Sequence, residues 1–297
     1  MATAFCPAHI TGFFKAELDK KDSKQLGSLG AGFSIQKGVK TTVTIRNKTK
    51  HDISNFTIKV NGFESGNMRV SEVVLNKFST KGKFVDIIHE IDVPVGYGFG
   101  SSAAVALSLS IALNDALECK LSKIKVAQIA HDVEIECKTG LGDVLASYYG
   151  GFEIRDKPGA PGIGHVQNIT LNKISIIMIC FSPISTSKFI KERLPRINGL
   201  GGKMVNELLK SKNYEHFQEM SLEFAKYVDV MTPRMQKVVN ELSKNNIKCG
   251  IALFGETIFS MIPKENENKI LKILEKYSDG IIIKSELDNT GARILYN

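Results

Sequence analysis

A glycine-punctuated loop lies directly before a run of small apolar residues in the first half of the chain. Gly96, Gly98 and Gly100 occupy every second position, and Ser101 and Ser102 follow them. Glycine adopts backbone angles closed to other residues and lets a ligand approach the main chain closely. A helix that begins here presents free backbone N–H groups and the positive end of its dipole to an anion. The pattern therefore indicates phosphate binding, although a tight loop with a serine N-cap has the same composition.

The spacing of this loop separates it from two common phosphate-binding motifs. No lysine follows the last glycine, so the loop is not a Walker A motif. The G-x-G-x-G spacing also differs from the G-x-G-x-x-G of a dinucleotide-binding turn. Any nucleotide bound here belongs to a different class of fold.

Two carboxylates downstream of the loop supply the other parts that phosphoryl transfer requires. The reaction needs backbone donors for the phosphates, a held Mg²⁺, and a group that orients or deprotonates the attacking hydroxyl. A serine hydroxyl of the loop and Glu134 would hold Mg²⁺, which takes few protein oxygens and keeps water. Asp143, in a glycine-rich turn, would be the base. Each carboxylate also has an ordinary role, Glu134 as a solvated helix residue and Asp143 as a turn or cap residue.

Periodicity predicts the elements that position these residues. A strand from Phe84 to Val93 delivers the chain into the loop, and a helix from Ser102 to Leu117 leaves it. Ser122 caps a helix over about 123–138, on which His131 and Glu134 share one face. Further elements are predicted upstream: strands at 5–14, 40–46 and 55–60 and a helix at 71–78.

The order of strands and helices in the second half of the chain differs from that in the first half. It favours an antiparallel sheet backed by helices, and so a fold of the α+β class. We predict strands at 152–155, 174–181, 247–254, 257–262, 280–284 and 292–296, and helices at 186–194, 203–212, 215–230, 234–245 and 264–277. A glycine-rich loop is expected at 199–202. A Pro/Gly-rich stretch at 157–164 places the domain boundary there, giving domains 1–165 and 166–297.

Composition narrows the class of protein. The chain has 297 residues, enough for two cores, and its 43% hydrophobic and 24% charged fractions are ordinary for a soluble protein. The sequence contains no apolar run long enough to span a membrane and no basic-then-apolar leader. Five scattered cysteines without a CxxC pair indicate free thiols, no zinc and a cytoplasmic location. The net charge of +8 is spread over the surface, so nucleic acid is not an expected partner.

The combination of loop and carboxylates identifies a family. Pro94-Val-Gly-Tyr-Gly-Phe-Gly-Ser-Ser-Ala-Ala104 resembles the P-x-x-x-G-L-G-S-S-A-A signature of the GHMP kinases. The resemblance implies a two-domain α+β fold, with an N-terminal domain like ribosomal protein S5 domain 2 and a ferredoxin-like C-terminal domain. It also implies ATP and Mg²⁺ as cofactors, Ser102 and Glu134 as metal ligands, and Asp143 as the base; Ser101 replaces Ser102 if the loop register differs. The implied phosphate-binding residues are Pro94, Gly96, Gly98, Gly100, Ser101, Ser102 and Ala103.

Within this superfamily the chain most resembles the archaeal pantoate kinases, in the segments 5–14, 27–34, 150–162 and 253–259. That resemblance implies ATP-dependent phosphorylation of the 4-hydroxyl of (R)-pantoate in archaeal coenzyme A synthesis. The residues expected to recognise pantoate are Ser28, His131, Arg155 and Thr186. Their chemistry agrees, because Arg155 offers a bidentate fork for a carboxylate and the others suit hydroxyls. From its residues alone, the segment 27–34 is either a ligand-binding loop or a bulged hairpin.

The chain departs from the superfamily pattern at two motifs. Pro7-Ala-His9 stands where many GHMP kinases have P-G-K or P-G-R, so no lysine lies near the acceptor. The third superfamily motif, usually glycine-dense, is only Phe254-Gly-Glu256. The alternatives are a kinase of homoserine or mevalonate type, and a non-catalytic binding protein on the same fold. A homodimer is common for such folds.

Overall fold

The computed structural model describes residues 1–63 and 68–296, and only the backbone at 186 and 187. The described residues form two sheets. The strands are β1 (Ala2–Glu17), β2 (Gly27–Asn47), β3 (Phe56–Gly62), β4 (Lys83–Ile91), β5 (Phe152–Lys157), β6 (His165–Ile169), β7 (Ile174–Pro183), β8 (Gly250–Ala252), β9 (Gly255–Pro263), β10 (Ile281–Glu286) and β11 (Arg293–Leu295). The α-helices are α1 (Arg69–Asn76), α2 (Ser101–Ala116), α3 (Lys123–Cys137), α4 (Asp143–Tyr149), α5 (Thr186–Ser211), α6 (Tyr214–Tyr227), α7 (Pro233–Lys244) and α8 (Glu267–Leu274).

The larger sheet has seven strands, with the central order β11-β1-β2-β4-β3 and with β5 paired to β2 and β6 to β5. Strands β1 and β2 form a long antiparallel hairpin in which His9 lies opposite Ser34. Strand β3 runs parallel to β4. Helix α2 packs on β1 and β2, and its buried Ala103, Ala104 and Ala106 let it lie close to them. The end of α2 that faces the loop is thereby fixed against the centre of the sheet.

The smaller sheet has four antiparallel strands in the order β10-β7-β9-β8. The buried run of β7 packs against apolar residues of α7 and α8, such as Val238 and Ile270. This antiparallel sheet with its helices confirms the predicted α+β class. Two short strands, β6 and β11, precede and follow the strands of the smaller sheet in sequence but belong to the larger sheet. In the described residues no helix is both long and apolar enough to cross a membrane.

The predicted loop at 199–202 was wrong, because α5 continues through it as one helix of 26 residues. The glycines serve close packing there. A Cβ at Gly201 would lie 1.9 Å from the carbonyl oxygen of Phe14, so only glycine lets α5 approach β1 at this point. The segment 27–34 is the first part of strand β2 and pairs with β1 in an antiparallel hairpin.

Candidate active site

The glycine loop adopts the conformation that its spacing predicted. Gly96, Gly98 and Gly100 have φ values of +85°, +85° and +56°, all in the left-handed region. Gly100 is the N-cap of α2, so the helix begins at Ser101. The backbone N–H groups of the first turn of α2 have no partners within the helix and lie at the positive end of its dipole. The loop and helix therefore suit an anion, and the segment 96–102 is called the phosphate loop below.

Hydrogen bonds from neighbouring elements fix this loop. Three of its carbonyl oxygens accept bonds from Ile184 N (2.9 Å), Thr257 Oγ1 (2.8 Å) and His9 N (3.1 Å). A cavity of about 370 Å³ lies against the loop. Its wall also includes Thr139, Asp143 and Phe254. The loop is thus held by its carbonyls at the edge of a cavity large enough for a phosphate chain.

Glu134 lies beside this cavity with one oxygen unpaired. Its side chain is 2% exposed, and Thr139 Oγ1 donates a hydrogen bond of 2.5 Å to Oε1. Oε2 is buried and has no partner among the described residues. Burial raises the pKa of Glu134 to about 7, although hydrogen bonds from Thr139 and Ser102 oppose the shift. A buried, unsatisfied carboxylate oxygen next to a serine hydroxyl fits a Mg²⁺ ligand.

The described residues contain no cluster of three or more His, Cys, Asp or Glu side chains that could hold a metal ion. A magnesium ion at Ser102 and Glu134 would therefore take most of its ligands from phosphates and water, which is how Mg²⁺ is usually bound in nucleotide sites. Ser102, and not Ser101, acts on the pKa of Glu134, which favours Ser102 as the second ligand.

Asp143 lies between the phosphate loop and Glu134. It is the first residue of α4, and its side chain is 14% exposed in the cavity wall. A Cβ at Gly100 would lie 3.4 Å from Asp143 Cγ. A Cβ at Gly140 would lie 2.1 Å from Glu134 Oε2 and 3.1 Å from Asp143 Oδ2. Both carboxylates therefore converge on one spot beside the loop, as the sequence pattern predicted.

A buried histidine, His9, forms a hydrogen bond with Asp143. His9 Nδ1 lies 2.8 Å from Asp143 Oδ1, and Nε2 lies 3.0 Å from Glu153 Oε1. Burial lowers the pKa of His9, but the hydrogen bonds with both carboxylates outweigh it and raise the pKa above its ordinary value. Burial would raise the pKa of Asp143, but the hydrogen bond and charge of His9 bring it below its usual range. Asp143 is thus a carboxylate at neutral pH.

Sequence reasoning missed the role of His9 because it noted only the missing lysine at this position. His9 and Asp143 are 134 residues apart, and no spacing rule joins them. The available signal was the ionisable side chain itself, a histidine at the position of the superfamily lysine.

Arg155 and Ser28 lie on the other side of Asp143. Arg155 is 1% exposed, and its Nη1 donates a hydrogen bond to Glu153. Its Nε has no partner among the described residues, and Nη2 makes only a long contact of 3.5 Å with Thr11 Oγ1. A Cβ at Gly142 would lie 2.3 Å from Ser28 Oγ and 2.9 Å from Arg155 Nε. The Nε of the guanidinium and the serine hydroxyl therefore both lie against Gly142.

A small cavity of about 10 Å³ beside Gly142 adjoins the phosphate-loop cavity. Polar and apolar side chains line it together: Thr11, Phe14, Ser28, Leu141, Asp143, Ile190 and Phe254. Asp143, Thr11 and Phe254 line both cavities. The smaller cavity has room for about one water, so an acceptor that reaches into it would also occupy part of the larger cavity, where it would meet a nucleotide at Asp143.

The remaining two predicted acceptor residues are placed differently. His131 is buried, and its Nε2 donates a hydrogen bond of 3.1 Å to the carbonyl of Ser23. Burial lowers its pKa, so the imidazole is neutral. His131 therefore holds the segment that leads into β2 and Ser28. Thr186 is the first residue of α5, and its side chain lies outside the described part of the structure.

The third motif packs on the phosphate loop. A Cβ at Gly255 would lie 2.2 Å from the carbonyl carbon of Tyr97, and a Cβ at Gly98 would lie 2.5 Å from the carbonyl oxygen of Leu253. Phe254 has a φ of +67° and packs its ring against Phe14 at 5.5 Å. The motif thus supports the loop and separates the two cavities with an aromatic ring.

We expect Gly98→Ala to weaken ATP binding. The added methyl group would meet the Leu253 carbonyl at a residue whose φ is +85°, at a cost of about 1–3 kcal/mol. The KM for ATP should rise roughly tenfold and the melting temperature should fall. Gly82→Ala is the matched control, since Gly82 has a φ of +75° and nothing within 4 Å of its Cβ position. Equal effects of the two substitutions on the KM for ATP would show that the close contact at Gly98 is unimportant.

Comparison with known proteins agrees with this site. Residues 68–151 match the family described as GHMP kinases N terminal domain. The chain is 34% identical to a pantoate kinase of Methanocaldococcus jannaschii over 276 residues, covering 91% of this chain and 96% of the relative. It is 30% identical to a pantoate kinase of Thermococcus kodakarensis over 275 residues, covering 91% of each.

Solved structures give the same result. A structure described as a phosphotransferase related to the CoA biosynthesis pathway superposes with a TM-score of 0.87 at 28% identity, covering 98% of this chain and 97% of that chain. A homoserine kinase from Cytophaga hutchinsonii superposes with a TM-score of 0.68 at 18% identity over 99% and 97% of the two chains, and this likeness shows the fold alone. Fold and site together define a kinase of the GHMP class. Within that class the chain belongs to the pantoate kinase family.

Proposed function

We propose that this enzyme transfers the γ-phosphoryl group of ATP to the 4-hydroxyl of (R)-pantoate, forming (R)-4-phosphopantoate for coenzyme A synthesis. One observation carries the proposal: Asp143 lies in the wall shared by the phosphate-loop cavity and a small cavity lined by Ser28, and Arg155 lies beside Ser28 at Gly142 with its buried Nε unpaired. A buried cation with an unused donor edge suits a small carboxylate. The pantoate kinases similar to this chain support the same acceptor.

The nucleotide lies in two adjoining cavities in this proposal. Its phosphates bind the N–H groups of the loop and of the first turn of α2. A neighbouring, largely apolar pocket would receive the adenine, and it shares Ser101 and Ser102 with the phosphate cavity. Its apolar lining residues are Val60, Met68, Val70, Ile91, Val95 and Val105. Apolar walls beside a polar loop suit a flat base attached to a phosphate chain.

Ser102 and Glu134 would hold Mg²⁺. When bound, this ion neutralises the phosphate oxygens and the charge that develops on them during transfer. The protein supplies a hydroxyl and one carboxylate oxygen, and the phosphates supply further ligands. The unpaired Oε2 of Glu134 supports this role.

The acceptor would bind with its carboxylate on the Nε–Nη2 edge of Arg155 and its 2-hydroxyl near Ser28 Oγ. Its two methyl groups then contact the apolar part of the cavity wall, which includes Leu141 and Ile190. The resemblance to archaeal pantoate kinases adds Thr186 and His131 to the recognition set. From its position, His131 acts by holding the segment that precedes Ser28.

Asp143 would orient the 4-hydroxyl and receive its proton. The hydroxyl oxygen forms a bond to the γ-phosphorus, the bond from that phosphorus to the ADP oxygen breaks, and the hydroxyl proton passes to the carboxylate. A carboxylate with a lowered pKa is a weak base, so positioning dominates and proton transfer follows late, in keeping with a loose transition state.

The test is an acceptor panel. The purified enzyme is given MgATP with (R)-pantoate, (S)-pantoate, homoserine or mevalonate, and ADP release is measured. We expect (R)-pantoate to have the highest kcat/KM. A higher value for homoserine or mevalonate would replace pantoate as the acceptor while leaving the kinase class intact. No ADP release with any acceptor, together with unchanged melting temperature in MgATP, would favour a binding protein instead.

Three further expectations complete the proposal. The reaction takes place in the cytoplasm, consistent with five free cysteines. The two functional domains correspond to residues 1–165 and 166–297, with the nucleotide and the acceptor between them. The expected partners are small molecules and not nucleic acid, and a homodimer is common for such folds.

A further inference from the structure

The imidazole of His9 is enclosed between two carboxylates with no access to solvent. Its side chain is 0% exposed, and each ring nitrogen lies within 3.0 Å of a carboxylate oxygen, Asp143 Oδ1 on one side and Glu153 Oε1 on the other. Ionised carboxylates only accept hydrogen bonds, and a neutral imidazole has a single N–H to donate. Two such bonds need an N–H on both nitrogens, as in an imidazolium. Arg155 Nη1 also lies 3.3 Å from Nε2 and binds the same Glu153 oxygen, so the competing state is a neutral His9 whose Nδ1 carries the proton and whose Nε2 accepts from Arg155.

The count of charges around His9 favours the imidazolium. Asp143 approaches from α4, while Glu153 and Arg155 approach from β5. On β1 itself Thr11 lies 3.4 Å from Nδ1, and on β2 Gly32 leaves room for the ring, since a Cβ there would lie 2.5 Å from Nε2. Two anions and the Arg155 cation leave one negative charge uncompensated. Buried charges of this kind are costly unless they are paired, and a charged His9 pairs the last one.

The position of His9 connects this charge to the reaction. Asp143 Oδ1 accepts the bond from His9, while Oδ2 faces the spot beside Gly140 where Glu134 also points. One carboxylate oxygen is thus occupied by His9, and the other faces Gly140 on the side of Glu134.

We infer that His9, as an imidazolium held by Glu153, is the positioning residue that orients Asp143 and keeps it ionised toward the acceptor hydroxyl. This inference rests on the proposed function, since it assigns Asp143 to the acceptor. It gives the chain a cation at the place where the superfamily lysine is missing. Unlike a lysine, this cation donates from two fixed directions and loses its proton within a measurable pH range.

Two substitutions separate the hydrogen bond from the charge. The amide nitrogen of asparagine takes the place of Nδ1, so His9→Asn keeps a donor to Asp143 but removes the positive charge. Glu153→Gln keeps an acceptor for His9 and Arg155 but removes the negative charge that holds the proton on His9. Glutamine at position 9 places its amide near Nε2, so His9→Gln keeps the contact with Glu153 and loses the one with Asp143.

The kinetic test compares kcat against pH for these variants. With the cation gone, the pKa of Asp143 must rise, so in His9→Asn the acidic limb should move up by about one pH unit and kcat should fall about tenfold or more. With one anion gone, the pKa of His9 must fall, so in Glu153→Gln the alkaline limb should move down. His9→Gln should lose more kcat than His9→Asn. A merely structural role lowers the melting temperature of all three variants without moving either limb, and that result would overturn the inference.

A second measurement is independent of the acceptor. Nitrogen-15 NMR of labelled histidine reports whether both ring nitrogens carry a proton, and the His9 signal is identified by its loss in His9→Asn. We expect the doubly protonated form at pH 7.5, well above the ordinary histidine pKa of about 6.5. A neutral His9 at that pH overturns the inference even if the kinase is active. Absence of pantoate phosphorylation by the wild-type enzyme would refute the proposed function, whereas the NMR result would still decide the charge state of His9.

Discussion

Replacing Asp143 with asparagine should lower kcat for pantoate phosphorylation by about 10²–10⁴-fold, the range typical for loss of a positioned proton acceptor. The amide keeps the size and an oxygen for His9 Nδ1, but it cannot take a proton. It also removes the negative charge that faces His9 and Arg155. The substitution therefore leaves the volume of the side chain almost unchanged and alters its charge. The loss should appear in kcat, because Asp143 acts on the reacting hydroxyl.

The same variant should bind nucleotide normally. The phosphate-loop glycines do not depend on the charge of Asp143, and loss of that charge lowers the pKa of Glu134 and so keeps it ionised. The Kd for MgATP should therefore be nearly unchanged in isothermal titration. Asp156→Asn is the control, because it makes the same chemical change at a residue that pairs with His165 and Gln167 away from the cavity. Wild-type turnover in the Asp143 variant would remove its catalytic assignment.

Arg155→Lys should raise the KM for pantoate about 10–100-fold, because a hydrogen bond to a charged group contributes about 1.5–3 kcal/mol. Lysine keeps the positive charge beside Glu153 but lacks the planar edge formed by Nε and Nη2. Alanine is the poorer test, since it would leave Glu153 buried without its guanidinium partner and destabilise the fold by about 3–5 kcal/mol. The KM for ATP should change much less than that for pantoate.

A control for this substitution is available on the surface. Arg46 forms a bidentate pair with Asp52 at 2.7 and 2.6 Å, both far from the site in the exposed end of β2. Arg46→Lys should therefore leave both KM values unchanged. An unaltered KM for pantoate in Arg155→Lys would mean that the guanidinium is structural and that the acceptor carboxylate binds elsewhere.

The features that follow from local pattern were predictable from the sequence. The alternating glycines require left-handed angles, and the loop has them. Strand and helix positions around it follow from periodicity, so the convergence of Glu134 and Asp143 beside the loop could be expected once the family was recognised. The continuous helix α5 could not be predicted in this way. Glycine is needed at position 201 because the residue contacts the backbone of Phe14, almost 190 residues upstream in the chain.

The charged cluster that includes Asp143 also could not be predicted from local sequence pattern. His9, Asp143, Glu153 and Arg155 come from three elements, and their pairing depends on the register of β1, β2 and β5. In sequence, a histidine near the N-terminus and two oppositely charged residues on one strand carry no sign that they meet. Local pattern likewise does not place Ser28, whose hydroxyl reaches the small cavity because β2 passes beside Gly142.

The most direct test of the account is the identity of the phosphorylated product. The enzyme is incubated with ATP, Mg²⁺ and (R)-pantoate, and the mixture is followed by ³¹P NMR with proton correlation. The account predicts a new phosphomonoester signal, formed in step with ADP, whose phosphorus couples to the two methylene protons at C4. A signal coupled to the single proton at C2, or ADP formation without any new phosphomonoester, would contradict it.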